Sequence, residues 1–242
     1  MNKTTLKLFL TKFGRAKNFK FKKQLALFFV TAVFSINSVN AQHVWDFGND
    51  ATNWPIAAAV TTDRIVDGLN VIAGGSSYGA VTNNPMTFSD GFVAPNRFNT
   101  GGNSTYASNL PTKRFLSFPV SGTCTVKIWL AATAIGRSVY VSDGTTLLGS
   151  ATTTATNAAS ATILTVTYIG APKTLYIYSD SVWIYKLAWA PVTIWNGTSW
   201  TNTVGPDATL DGRIAGVYST STHGTITAKN LTIATGGSLT VN

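Results

Sequence analysis

Downstream of Gln42 the apolar residues recur at every second position in short runs, and no segment holds a helical period of about 3.6 residues for three turns. In Thr123–Leu130, Cys124, Val126, Ile128 and Leu130 fall on one face, with Thr123, Thr125, Lys127 and Trp129 on the other. Arg137–Asp143 repeats the alternation through Val139 and Val141, and Lys173–Tyr178 sets Leu175 and Ile177 against Tyr176 and Tyr178. Thr162–Ile169 reads as a strand apolar on both faces. Clusters of Gly, Asn, Asp, Ser and Pro separate these runs, a pattern that predicts an all-β, antiparallel β-sandwich. The low-complexity run Ala151–Ser160 reads as a long hairpin loop.

Two flanking segments break this pattern. Residues 1–41 hold eight of the eighteen Lys and Arg, and no acid precedes Asp46. Leu25–Ile36 is an apolar core, and small residues lead to Val39-Asn40-Ala41. A cationic start, an apolar centre of roughly a dozen residues and a small-residue cut site make a signal-peptide helix, with cleavage before Gln42. The apolar core is shorter than the roughly twenty residues of a membrane span. Contact with a membrane is therefore expected only through an uncleaved leader. At the other end, a boundary falls at Ala190-Pro191-Val192. Beyond it come Ile214–Tyr218, Thr225–Ile233 and Ser238–Val241, evenly spaced and punctuated by Gly like the rungs of a short β-helix-like ladder. The expected domains are 1–41, leader; 42–192, sandwich; and 193–242, ladder. So few rungs imply either a truncated repeat or a tail capping the sandwich.

Charge changes meaning once the leader is set aside. The whole chain carries +9, but from Gln42 onward ten Lys and Arg face nine Asp. A near-neutral surface with scattered cations does not steer polyanions, so nucleic acid is not an expected partner. No Glu occurs, while Thr, Ser, Gly, Ala and Asn abound, which favours strands over helices. Cys124, the single cysteine, excludes an intrachain disulfide and reads as a small buried hydrophobe.

The inventory of reactive groups is thin. Glycoside hydrolysis needs two carboxylates at a set separation, and the Asp residues sit instead in turn-like sequences. His43 and His223 lack the neighbours of a general base, and two His with one distant Cys do not make a zinc site. No cofactor is expected. Calcium is the one metal for which ligands are on offer, from Asp46, Asn49 and Asp50 and from Asp63–Asp67. The same residues suit turns by bonding local backbone groups, the reading favoured here. What the chain has in abundance is aromatic rings, which stack on sugar faces when exposed. Trp54, Tyr78 and Tyr106 lie in loop-like sequence, where binding residues concentrate, and Trp129 faces away from the apolar row of its strand. Arg97, Lys113 and Arg114 suit the carboxylates of an acidic polysaccharide. Trp183, Tyr185 and Trp189, at strand spacing, read as packing.

Residues 43–190 resemble a non-catalytic β-sandwich domain that accompanies pectate lyases and pectin esterases secreted by Bacteroidetes. The matching stretches are Trp45-Asp46-Phe47, Arg97-Phe98 with Gly101-Gly102, Arg114–Val126, Gly136–Val141 and Leu175–Ser179. Residues 194–242 look like the linker and repeat of proteins exported by the type IX system, through Trp195–Trp200, Ala228–Ile233 and Gly236–Val241. The resemblance implies a jelly-roll or galactose-binding-like sandwich, a carbohydrate-binding role beside a catalytic domain, and pectin or a similar uronic-acid glycan as partner. It implies a secreted or cell-surface location. The chain shows neither the catalytic domain nor the C-terminal sorting domain of such proteins, so as given it is addressed to the periplasm. Asp180-Ser181-Val182 resembles the short O-glycosylation acceptor of Bacteroidetes. The alternative expectation is an adhesin-like protein with a sandwich cap and a β-helical stalk.

Overall fold

The computed structural model describes residues 42–242, so the leader lies outside the described residues. No described helix is long and apolar enough to cross a membrane. Two antiparallel sheets form a sandwich. One runs β4 (Ala80–Thr87), β5 (Val93–Asn99), β14 (Trp183–Trp195), β9 (Cys124–Ala131) and β12 (Thr162–Tyr168), with β1 (His43–Trp45) also on β14. The other runs β2 (Arg64–Val66), β3 (Leu69–Ile72), β8 (Phe115–Val120), β13 (Lys173–Ser179), β10 (Ser138–Ser142) and β11 (Leu147–Thr152).

The alternation predicted from sequence is what fills the space between the sheets. Cys124, Val126, Ile128 and Leu130 on β9 meet Val139 and Val141 on β10 and Leu175 and Ile177 on β13 in one buried cluster. Leu116, Phe118 and Val120 of β8 join them, as do the rings of Trp45, Phe47, Trp54, Tyr78 and Phe98. Such two-sheet packing lets each strand bury every second side chain. The run 151–160 departs from expectation. Ala151 and Thr152 complete β11, a single 3₁₀ turn spans Asn157–Ser160, and the chain then enters β12 in the opposite sheet. It is a crossover between the two sheets rather than a hairpin loop. Ser160 anchors it, donating to Ala132 and accepting from the Ala132 amide.

β14 organises the first sheet. Its thirteen residues take β5, β9 and β1 as antiparallel partners in turn, then β15 (Asp211–Ile214) in parallel through Val192–Trp195. β15 pairs in parallel with β17 (Leu231–Ile233), and β16 (Val217–Ser219) with β18 (Ser238–Thr240). The predicted run Ile214–Tyr218 is broken at Ala215-Gly216, where the chain turns between β15 and β16. Gly216 packs against Gly197 so closely that a Cβ there would lie 2.5 Å from its backbone. Of Thr225–Ile233 only the last three residues are strand.

Candidate functional site

A β-bulge decides what the outer face of the first sheet displays. Ile184 pairs with Leu130 and Lys186 with Trp129, so Tyr185 is an extra residue in β14. Ile184 and Leu187 both enter the inter-sheet core, while Tyr185 packs in a separate outer cluster with Trp129 and Trp183. Inserting one residue is how a strand re-aims side chains without losing register beyond the bulge.

The β4–β5 hairpin folds its tip over this bulge. Phe88 and Phe92 stack at 5.8 Å, and Phe88 meets Tyr185 edge-on at 5.3 Å. The Lys186 ammonium sits 3.5 Å from the Phe92 ring centroid and 4.0 Å from that of Trp129. The Trp129 indole N–H donates to Asp90 Oδ2 at 2.9 Å. Burial lowers the Lys186 pKa. For Asp90, burial pushes upward, but hydrogen bonds from the Phe92 amide and the Trp129 indole, with the Lys186 charge, outweigh it and the pKa falls. Nearby, Arg97 lies 3.7 Å above the Trp183 ring and donates through Nε to Thr82. The Tyr185 hydroxyl donates to Asn84 at 2.6 Å, and burial pushes its pKa up to about 12 against the pull of Arg97.

Along the strands from this strap the same face opens into a groove of about 680 Å³. Strand register lays out its floor. Thr167, Thr125 and Ala190 form one row across β12, β9 and β14; Thr165, Lys127 and Ala188 form the next. The two alanines leave a low strip beside the hydroxyls, and Trp189 contributes to the lining. β15 closes the far wall with Asp211 and Arg213, whose Nη1 donates to the Thr167 hydroxyl at 2.9 Å. Neither Lys127 nor Arg213 forms a salt bridge among the described residues. The groove therefore presents hydroxyls, two cations and one carboxylate on a pleated surface, the equipment for hydrogen bonding a hydroxylated, acid-bearing chain.

The seven side chains singled out from sequence do not converge. Trp54 and Tyr78 are buried in the inter-sheet core around Phe98, at 6.0 and 5.3 Å between ring centroids, so neither offers a ring face to solvent. Loop position alone misled there, because these loops fold inward to plug the end of the sandwich. Trp129 is largely buried under the hairpin tip, yet it alone of the seven lines the groove. The Arg114 guanidinium donates to the carbonyls of Ser77 and Asn103, stitching two loops together. Lys113 ends β7 (Leu110–Lys113), opposite Thr105 of β6 (Thr105–Ala107). Tyr106, on that hairpin, is exposed and packs at 4.7 Å on Tyr178, whose ring stacks on Tyr140. Arg97 belongs to the outer face of the first sheet, but to its other end. Thr125, Lys127, Thr165, Thr167, Asp211 and Arg213 were not singled out. The outward row Thr123, Thr125, Lys127, Trp129 did carry a signal, and only its juxtaposition with β12 and β15 was hidden.

The carboxylates weighed for calcium are occupied locally. Asp46 Oδ1 accepts from the Gly48 and Asn49 amides, Asp50 Oδ1 from Thr52 and Asn53, and Asp63 Oδ1 from Ala73 and Gly74. Among the described residues no three His, Cys, Asp or Glu side chains gather as a metal site. Cys124 is fully buried, as expected of a small hydrophobe.

No protein-family model and no curated protein matches this chain. Solved structures do. A family 35 carbohydrate-binding module from Clostridium thermocellum is 17% identical, with a TM-score of 0.28, over 51% of this chain and 92% of its own. The C-terminal CBM6 of LamC, a marine laminarinase from Zobellia galactanivorans, is 17% identical at a TM-score of 0.29, over 50% and 98%. A cleaved adhesin domain of Lys-gingipain from Porphyromonas gingivalis is 13% identical at a TM-score of 0.35, over 62% and 95%. The likeness is distant and concerns the β-sandwich. At these scores no residue role carries over.

Proposed function

We propose that this protein is an exported, non-catalytic module that binds polysaccharide along the outer face of its first sheet. The observation that carries the reading is the groove floored by Thr125, Lys127, Thr165 and Thr167 and walled by Arg213. Two cations without carboxylate partners favour an acidic glycan, and a uronic-acid chain of the pectic type meets that chemistry. Each cation supplies a charge-assisted hydrogen bond to a sugar carboxylate. Fused or bound to a degrading enzyme, such a module raises the local concentration of substrate. Export through the leader, to the surface or the periplasm, belongs to the same reading.

Affinity electrophoresis of residues 42–242 through polygalacturonate, xylan and β-glucan gels tests it. Retardation is expected in polygalacturonate, weakened about tenfold or more by Lys127→Ala or Arg213→Ala and reduced by added salt. Unretarded migration in every gel sinks the reading. Retardation by neutral glycans alone keeps the module but removes the acidic specificity.

A structural role is the second reading, and the parallel pairs favour it. Val192 lies beside Asp211 and Gly212 beside Leu231, the same step along the sequence each time, as successive rungs of a β-helical stalk would be. Further rungs encoded beyond Asn242 support this reading. A lyase or esterase encoded there supports the accessory role.

A further inference from the structure

We infer that two copies of this chain join edge to edge through β12, which makes one continuous sheet of their two outer faces. β12 pairs with β9 alone and β11 with β10 alone, so each sheet of the sandwich ends there in an open strand. Both open strands lie on the same flank: a Cβ added at Gly149 of β11 would come 2.8 Å from the Val166 side chain of β12. The opposite edges are guarded in the ways that keep strands from pairing with strangers. β4 holds Pro85 and a bulge and is bridged by Ala57, while β2 carries Arg64, with Asp63 and Asp67 beside it. β11 and β12 have no such device. Residues 144–172, which include both strands and the crossover between them, hold no Asp, Glu, Lys, Arg or His, the longest such run in the chain.

Strand register shows which groups of β12 are free. The Thr123 carbonyl accepts from the Val192 amide, on the β14 side of β9. Alternation then turns the backbone of Cys124, Val126, Ile128 and Leu130 toward β12, where they face Tyr168, Val166, Leu164 and Thr162. The amides and carbonyls of Ile163, Thr165 and Thr167 point off the sheet. An antiparallel pair centred on Thr165 sets that residue against itself and Ile163 against Thr167 of the second copy, with about six backbone bonds in all. Leu164 then meets Val166 on the core side, so the two faces match. A second copy suits this flank because a two-fold axis lays it on its own image, where any charge would be repelled and none is present. Seven residues span about 24 Å, and two sheets about 10 Å apart give a flank of roughly 500 Å² per copy, reaching the total of about 1,000 Å² that a specific pair needs. Thr165 and Thr167 also floor the groove, so pairing fuses the two grooves and sets their Lys127 residues three strand spacings, roughly 14 Å, apart. That consequence rests on the polysaccharide reading; the pairing does not.

Sedimentation equilibrium of residues 42–242, without glycan, tests the pairing. A dimer with a Kd on the order of micromolar is expected from an interface of this size. Thr165→Pro removes an amide on the open side only, and is expected to weaken the dimer about tenfold or more with an unchanged circular dichroism spectrum. Thr165→Cys is a check that does not depend on the proline variant folding. Bonded antiparallel pairs hold their Cα atoms about 5.5 Å apart, within disulfide range, so mild oxidation is expected to cross-link this variant. Thr87→Cys, exposed on β4, is expected to stay uncross-linked, and Cys124 is buried. A monomer at every concentration up to about 300 µM overturns the inference and leaves the edge to a strand of another protein. So does a dimer that survives Thr165→Pro or fails to cross-link through Thr165→Cys. A dimer unretarded in every polysaccharide gel upholds the pairing and sinks the glycan reading, and a retarded monomer does the reverse.

Discussion

At the residue scale, environment rather than residue type sets the chemistry. Cys124 sits in the core, and burial pushes its thiol up to about 12. The thiolate is the reactive form, so at pH 8 its population is about four orders of magnitude below that of the thiol. The native protein is expected to stay unlabelled by Ellman's reagent at pH 8 and to react with one equivalent on unfolding; rapid labelling of folded protein would show the strand to be open. Asp143 is the opposite case. The Lys173 ammonium 2.8 Å away, helped by the Thr146 and Thr145 amides, holds its carboxyl at about 2. A depressed acid stabilises the fold above its unfolded pKa, and that contribution disappears as pH falls from about 4 toward 2. The pair is partly exposed, so the effect is modest and salt-sensitive. Melting curves of wild type and Lys173→Met are expected to differ at neutral pH and to converge near pH 2. Ile128 is fully buried, and its replacement by Ala is expected to cost ~2–5 kcal/mol in urea unfolding.

At the element scale, the bulge in β14 separates two kinds of deletion. Removing Tyr185 leaves Ile184 and Lys186 adjacent and the alternation intact on both sides, so the sandwich is expected to fold while the Phe88–Phe92 tip loses a contact. Removing Ala188 instead flips Trp189 and every later residue of β14 to the wrong face. Amide exchange checks this: faster exchange confined to residues 88–92 is expected for the first deletion, and loss of the cooperative fold for the second. Equal tolerance of both would refute the register. The strand patterns of β9, β10 and β13 were plain in the sequence because their alternation is uninterrupted. The bulge was not, since Trp183–Trp189 reads as a nearly continuous apolar run that admits either face.

At the scale of the whole molecule, β14 belongs to both the sandwich and the parallel ladder. The Arg213 bond to Thr167 ties β15 to β12, and the Trp195 bond to Val217 ties β14 to β16. Residues 42–242 are accordingly expected to unfold in one thermal transition, with calorimetric and van't Hoff enthalpies in agreement. Two resolved transitions would mean that the ladder melts by itself. The same strand explains why the groove exists, since β9, β12 and β14 supply its floor and β15, reached through a turn-rich connection, supplies its wall.

Period-two hydrophobicity, the absence of Glu and the turn residues between short runs were enough to determine an all-β sandwich and most of its core, because burying alternate side chains is a local rule that each strand obeys alone. The same local rule put Thr125 and Lys127 outside. Which outward residues meet is not local. The fold placed Arg213 against Thr167, drew Trp54 and Tyr78 into the core and covered Trp129 with Phe92, since pairing partners and loop closures join residues far apart in the chain.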